Sequence, residues 1–146
     1  MSDRDGWTTP ADGTRLYWRR RSPAAAPAAA LLVVHGLAEH SGRYEHVLER
    51  FAGAGFDCWA PDYRCHGRSP GLRVHVDRFE DFDADISAAR RLVAGECPRL
   101  PLVVVGHSQG GLLALRHAIA EPDGLAGVIV SSPFLGLHPD SRPPAG

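Results

Sequence analysis

The stretch PLVVVGHSQGGLLALRHA, residues 101–118, constrains the fold more than any other part of the chain. Leu102, Val103, Val104 and Val105 form an apolar run with no polar face, which suits a strand covered on both sides in a parallel sheet. Gly106 closes the run. From Gly110 onward apolar residues recur at Leu112, Leu113, Leu115, Ala118 and Ile119, close to the helical period. The spacing predicts strand, sharp turn, helix, with Ser108 at the turn. Gly106, Ser108 and Gly110 make the G-x-S-x-G pattern of a nucleophile elbow. A side chain at either glycine would crowd a backbone that turns within a few atoms. An elbow of this kind raises a serine hydroxyl above the sheet and sets helix-terminal N–H groups beneath it.

At 146 residues the chain suffices for one ordinary domain and is too short for two. A net charge of −1 argues against a nucleic-acid partner held by a general electrostatic field. Every basic residue is Arg and none is Lys, which reads as codon bias and says little about partners. The opening MSDRDGWTTP has early acids and no apolar core, so no signal peptide is expected. The longest apolar run, Ala28 to Val34, falls far short of the roughly 20 residues that span a bilayer. Cys58, Cys65 and Cys97 are odd in number and form no C-x-x-C pair. They point to a reducing compartment, the cytoplasm, and to neither a disulfide framework nor a zinc site.

Taken in order, residues 7–10 and 14–20 flank the turn Ala11-Asp12-Gly13, and Leu16 and Trp18 alternate with Arg15, Tyr17 and Arg19. An antiparallel hairpin with one solvent face is expected. The two prolines of SPAAAPAAA, residues 22–30, favour an extended connection over a helix. Ala30 to Val34 reads as a buried strand leading into His35-Gly36-Leu37-Ala38-Glu39-His40. Tyr44, Val47, Leu48 and Phe51 then recur at helical spacing, with Ser41 as N-cap and Gly55 as stop. Phe56 to Pro61 is a third strand, ending in the polar loop 62–69. Asp77 with Glu80 resembles a capping box, and Phe79, Phe82, Ile86, Ala89 and Val93 line one helical face, ended by Gly95 and Pro98. After the elbow helix, Gly127 to Ser131 reads as another short buried strand, with no helix after it to cover it. Strand and helix in alternation predict an α/β, three-layer arrangement around a mostly parallel sheet.

A serine hydroxyl is a weak nucleophile until a base and an orienting acid activate it and donors await the oxyanion. The backbone N–H of Gln109, next to Ser108, suits one donor role, and that of Leu37, in the loop after His35-Gly36, suits the other. Both loops leave the C-terminal edge of parallel strands, where open sheets keep their sites. His35 and His66 read as structural histidines. His40, Asp62 and His66 have no spacing that matches a metal motif, so neither metal nor cofactor is expected. Glu39 and Arg64 are expected to tie the two loops together, and Gly67 and Ser69 to be turn residues. Beyond Ser108 the only histidines are His117 and His138, and the only acids Glu121, Asp123 and Asp140. His117 lies nine residues along the helix, about 13 Å from Ser108 at 1.5 Å per residue, out of direct reach. His138 and Asp140 sit in a proline-rich end. No complete triad assembles from these residues.

HGLAEHSGRY at 35–44, DYRCHGRS at 62–69, GLRVHVDRFEDFDADI at 71–86, GHSQGG at 106–111 and SSPFLGL at 131–137 together resemble the monoacylglycerol lipase and lysophospholipase branch of the α/β-hydrolases. That branch is also described as the serine aminopeptidase S33-like hydrolase domain. The resemblance implies Ser108 as nucleophile, oxyanion donors at Leu37 and Gln109, and carboxylic esters of the acylglycerol or lysophospholipid type as substrates. Two departures stand out. Cys65 occupies the position where the family's R-G-H-G loop usually has glycine. In the family the catalytic Asp and His, a lid segment and the last strands follow the stretch resembling SSPFLGL. Residues 1–137 are therefore expected to form the N-terminal part of an α/β-hydrolase domain, C-terminally truncated, with 138–146 a proline-rich tail. The competing expectation is a non-catalytic remnant or interaction module. Self-association or a complementary C-terminal fragment is the expected partner besides a small ester or lipid.

Overall fold

The structure, a computed structural model, describes residues 1–136. The expected tail, with His138 and Asp140, lies outside the described residues. One six-stranded sheet runs in the order β1-β2-β4-β3-β5-β6. The strands are β1 Ser2–Thr8, β2 Leu16–Ser22, β3 Ala29–Val34, β4 Phe56–Pro61, β5 Leu102–His107 and β6 Leu125–Ser131. The helices are α1 Glu45–Gly53, α2 Glu80–Glu96 and α3 Gln109–Ala120. β1 and β2 form the antiparallel hairpin, β2 meets β4 antiparallel, and β4, β3, β5 and β6 run parallel. Gly13, at φ 84°, and the Asp12 carboxylate, which accepts the Thr14 N–H at 2.9 Å, make the hairpin turn.

The pleat of β3 explains the three layers. Ala30, Leu32 and Val34 face the core formed with α2 and α3 through Phe82, Ile86, Val93, Leu113 and Ala114. Leu31 and Val33 face the opposite side, where Leu48 and Phe51 of α1 cover them. A strand buried on both faces has no polar position to spare, hence the unbroken apolar run.

Several local expectations give way to tertiary contacts. The one-sided hairpin fails because both faces of β2 are covered: Trp18 packs on Trp59 in the core, and Trp7, Arg19 and Arg68 lie against Tyr17, so Leu16, Tyr17 and Trp18 are all buried. Ser41 does not cap α1. A 3₁₀ turn, Ser41–Tyr44, precedes the helix with His40 at its N-cap, and the Ser41 hydroxyl instead accepts Arg19 Nε at 3.0 Å. Asp77 and Glu80 form no capping box, since α2 has Phe79 at its N-cap and no side-chain cap bond. β6 is not buried: Ile129 is 54% exposed, because it sits opposite Val105 on the α1 side of the sheet, where α1 does not reach. Gly55 does end its helix segment, at φ 94°. No described helix is long and apolar enough to cross a membrane.

Candidate active site

Ser108 stands between the last residue of β5 and the first of α3, at φ 53° and ψ −119°, in a region that a residue with a Cβ rarely adopts. Its neighbours hold it there. The Ser108 N–H donates to Ser131 O at 3.1 Å, and its carbonyl accepts the N–H groups of Gly111, Leu112 and Phe134. A Cβ on Gly106 would meet Gly110 O at 2.3 Å, and one on Gly110 would meet Val34 O at 2.2 Å and His35 O at 2.3 Å. Both glycines are thus required by close backbone crossings, the second between α3 and the end of β3.

That crossing brings the loop after β3 against the serine. A Cβ on Gly36 would lie 3.3 Å from Ser108 Cβ. Leu37 follows with its side chain exposed, and Ala38 turns the chain at φ 58°. Gln109 is the first residue of α3, where a helix leaves its N–H groups without intrahelical acceptors. Among the described residues neither the Leu37 nor the Gln109 N–H is bonded to a backbone carbonyl. Ser108, Leu37 and Gln109 therefore converge at the C-terminal edge of β3 and β5.

Glu39 and Arg64 do not tie the loops to each other. The Glu39 carboxylate accepts the Gly36 N–H at 2.9 Å and the Tyr44 hydroxyl at 2.7 Å, and lies 3.6 Å from Arg43. Partial burial would raise its pKa, but those two donors hold it below the ordinary range. Arg64 turns the other way, to Asp85 of α2 and to Asp12 in the hairpin turn. The loops are joined by residues that carried no local signal. Asp62 accepts the Ser41 N–H at 2.6 Å, and the Tyr63 hydroxyl donates to Gly36 O at 3.0 Å. Gly67 and Ser69 are turn residues: a Cβ at Gly67 would overlap the Asp62 carboxylate, and Ser69 Oγ donates to Asp62 O at 2.5 Å.

His35 and His66 are buried, their ring centroids 5.3 Å apart, with Tyr63 stacked on His35 at 4.1 Å. Each Nδ1 faces a backbone carbonyl, Gly36 O and Arg64 O respectively, so each ring is the Nδ1–H tautomer. Burial depresses both pKa values, that of His35 to about 4. His40 is exposed, and no group of three metal-ligating side chains gathers among the described residues. His117, on α3, faces α2, its Nδ1 3.5 Å from Ser87 Oγ and its Nε2 3.4 Å from Arg90. Among the described residues no histidine or acid hydrogen-bonds the Ser108 hydroxyl; His35, Glu39 and His117 are engaged elsewhere.

The parallel sheet with helices on both faces and a strained serine at the strand–helix turn define an α/β-hydrolase fold. The family described as serine aminopeptidase, S33 matches residues 25–146, and the chain belongs to it. Monoacylglycerol lipase of Mycolicibacterium smegmatis is 35% identical over 131 residues, 90% of this chain and 47% of that protein. Human monoglyceride lipase is 36% identical over 131 residues, 90% of this chain and 43% of its own length. The crystal structure of Paleococcus ferrophilus monoacylglycerol lipase superposes with a TM-score of 0.73 at 37% identity, over 87% of this chain and 46% of that one. The chain spans less than half the length of these relatives.

Proposed function

We propose that the chain is the nucleophile-bearing part of a serine hydrolase acting on carboxylic esters of the acylglycerol or lysophospholipid kind. Ser108 attacks the ester carbonyl, and the backbone N–H groups of Leu37 and Gln109 receive the oxyanion. The observation that carries this reading is the turn itself: Ser108 at φ 53° at the N-cap of α3, with Gly36 packed against its Cβ. Preorganised donors of this kind are worth about 10²–10³ in rate each. The names of the lipase relatives support a glyceride ester. For ester turnover the Ser108 proton must pass to a base, whereas a fluorophosphonate, with fluoride as its leaving group, reacts slowly with water as the proton acceptor. The base for turnover is a histidine outside the described residues, either His138 or one on a complementary C-terminal segment. Three buried free cysteines support a reducing compartment, the cytoplasm.

Two measurements test the reading. A fluorophosphonate probe should label the 146-residue chain at Ser108, located by peptide mass spectrometry, and should not label Ser108→Ala. Labelling elsewhere, or none, overturns the nucleophile assignment. Turnover of p-nitrophenyl esters by the same chain should match that of Ser108→Ala. Robust turnover abolished by Ser108→Ala would show that the chain supplies its own base and would point to His138.

A further inference from the structure

Besides Ser108 O, which takes three backbone N–H groups, one other carbonyl in the site accepts three donors, and two of these come from side chains. Gly36 O accepts the Tyr63 hydroxyl at 3.0 Å, His35 Nδ1 at 2.8 Å and the Glu39 N–H at 3.3 Å. A carbonyl oxygen has two lone pairs, so three donors restrict it more than a turn requires. The Gly36 carbonyl and the Leu37 N–H belong to the same trans peptide, whose C=O and N–H point in opposite directions. Pinning the oxygen therefore aims the N–H. The preceding peptide is fixed separately, through the Gly36 N–H and Glu39 Oε2.

Tyr63 is fully buried, stacked on His35 and edge-on to Phe82 at 5.1 Å. Among the described residues its hydroxyl makes this one hydrogen bond, and burial raises its pKa, so it stays a donor. The His35 ring is neutral through the neutral range and donates from Nδ1. Donors on a carbonyl also polarise the amide and strengthen its N–H as a donor.

We infer that Tyr63, assisted by His35, is a positioning residue that holds and polarises the Gly36–Leu37 peptide so that the Leu37 N–H meets the oxyanion formed at Ser108. The inference rests on the assignment of Ser108 as nucleophile. Tyr63 reaches neither substrate nor Ser108; it acts through one peptide unit from the side opposite the chemistry.

Tyr63→Phe keeps the ring stack and removes one donor. With a fluorophosphonate, Ser108 Oγ bonds phosphorus, fluoride leaves, the Oγ proton passes to solvent, and the phosphoryl oxygen occupies the oxyanion hole. Labelling of Tyr63→Phe should be about tenfold slower than wild type, equivalent to about 1.4 kcal/mol, the size of one hydrogen bond. The Gly36 carbonyl ¹³C resonance of the unlabelled chain should move upfield at the same time. His35→Asn, which keeps a side-chain N–H near the Nδ1 position, should retain most of the rate, and His35→Leu should lose it. Equal labelling rates for wild type and Tyr63→Phe overturn the inference and leave Ser108 standing. A slower rate with an unmoved Gly36 resonance marks a structural effect elsewhere and also overturns it. Absence of wild-type labelling at Ser108 overturns the nucleophile assignment and the inference with it.

Discussion

Cys65 holds φ 65° in the loop after β4, where a residue with a Cβ pays about 1–2 kcal/mol that glycine does not. Its N–H donates to Pro70 O and its carbonyl accepts the Val74 N–H, so the backbone cannot relax without breaking the loop. Cys65→Gly should raise stability by about 1 kcal/mol, less a part lost because Sγ packs over Gly71. Cys65→Val, branched at Cβ, should lower it. Urea midpoints of the two variants check both signs, and a less stable Cys65→Gly would show that the sulfur contact outweighs the strain.

Among the elements, α2 is tied to the loop after β4 by one buried ion pair. Asp85 is fully buried, accepts the Arg64 N–H at 2.8 Å, and takes two guanidinium donors, the shortest contact being 2.7 Å. The same guanidinium reaches Asp12 at 2.7 Å, so the hairpin turn, the loop and the helix share one cation. Removing one partner strands the other charge away from water. Asp85→Ala should cost about 3–5 kcal/mol in urea unfolding, and a loss below 1 kcal/mol would mean that Asp12 and Asp81 replace it.

At the scale of the whole molecule, three histidines are buried with lowered pKa values: His35, His66 and His117, each through desolvation first. The unfolded chain binds protons at these sites from about pH 6.5 downward, whereas the folded chain resists until lower pH. Stability is therefore full above about pH 6.5 and falls as pH drops toward about 4, the folded value of His35. The slope cannot exceed about 4 kcal/mol per pH unit for three protons. Urea midpoints that stay level between pH 7 and pH 5 would contradict this.

The two edges of the sheet differ in the same global sense. β1 presents Asp3, Arg4 and Asp5, charges that discourage pairing with another chain. β6 pairs only with β5 and exposes Ile129, while Leu135 beyond it is 70% exposed. The 146-residue chain should self-associate through this edge at micromolar concentration, and Ile129→Lys should shift it to monomer. Sedimentation equilibrium decides the matter, a stable wild-type monomer being the contrary result.

What the sequence determined by itself is local and periodic. The β5–turn–α3 unit, the paired glycines around Ser108 and the double-sided strand β3 follow from spacing alone, because a few neighbouring residues dictate them. The Tyr63–Gly36 bond, the Arg64–Asp85 pair and the Asp62 bridge to Ser41 join residues more than twenty positions apart. They exist because β4 lies beside β3 in the sheet, an order that no local pattern encodes. Nor does any local pattern encode that Glu39 turns to its own loop, that α1 and α2 lack the expected side-chain caps, or that β6 pairs on one side only. Periodicity assigns a residue to a face; only the packed sheet decides what that face meets.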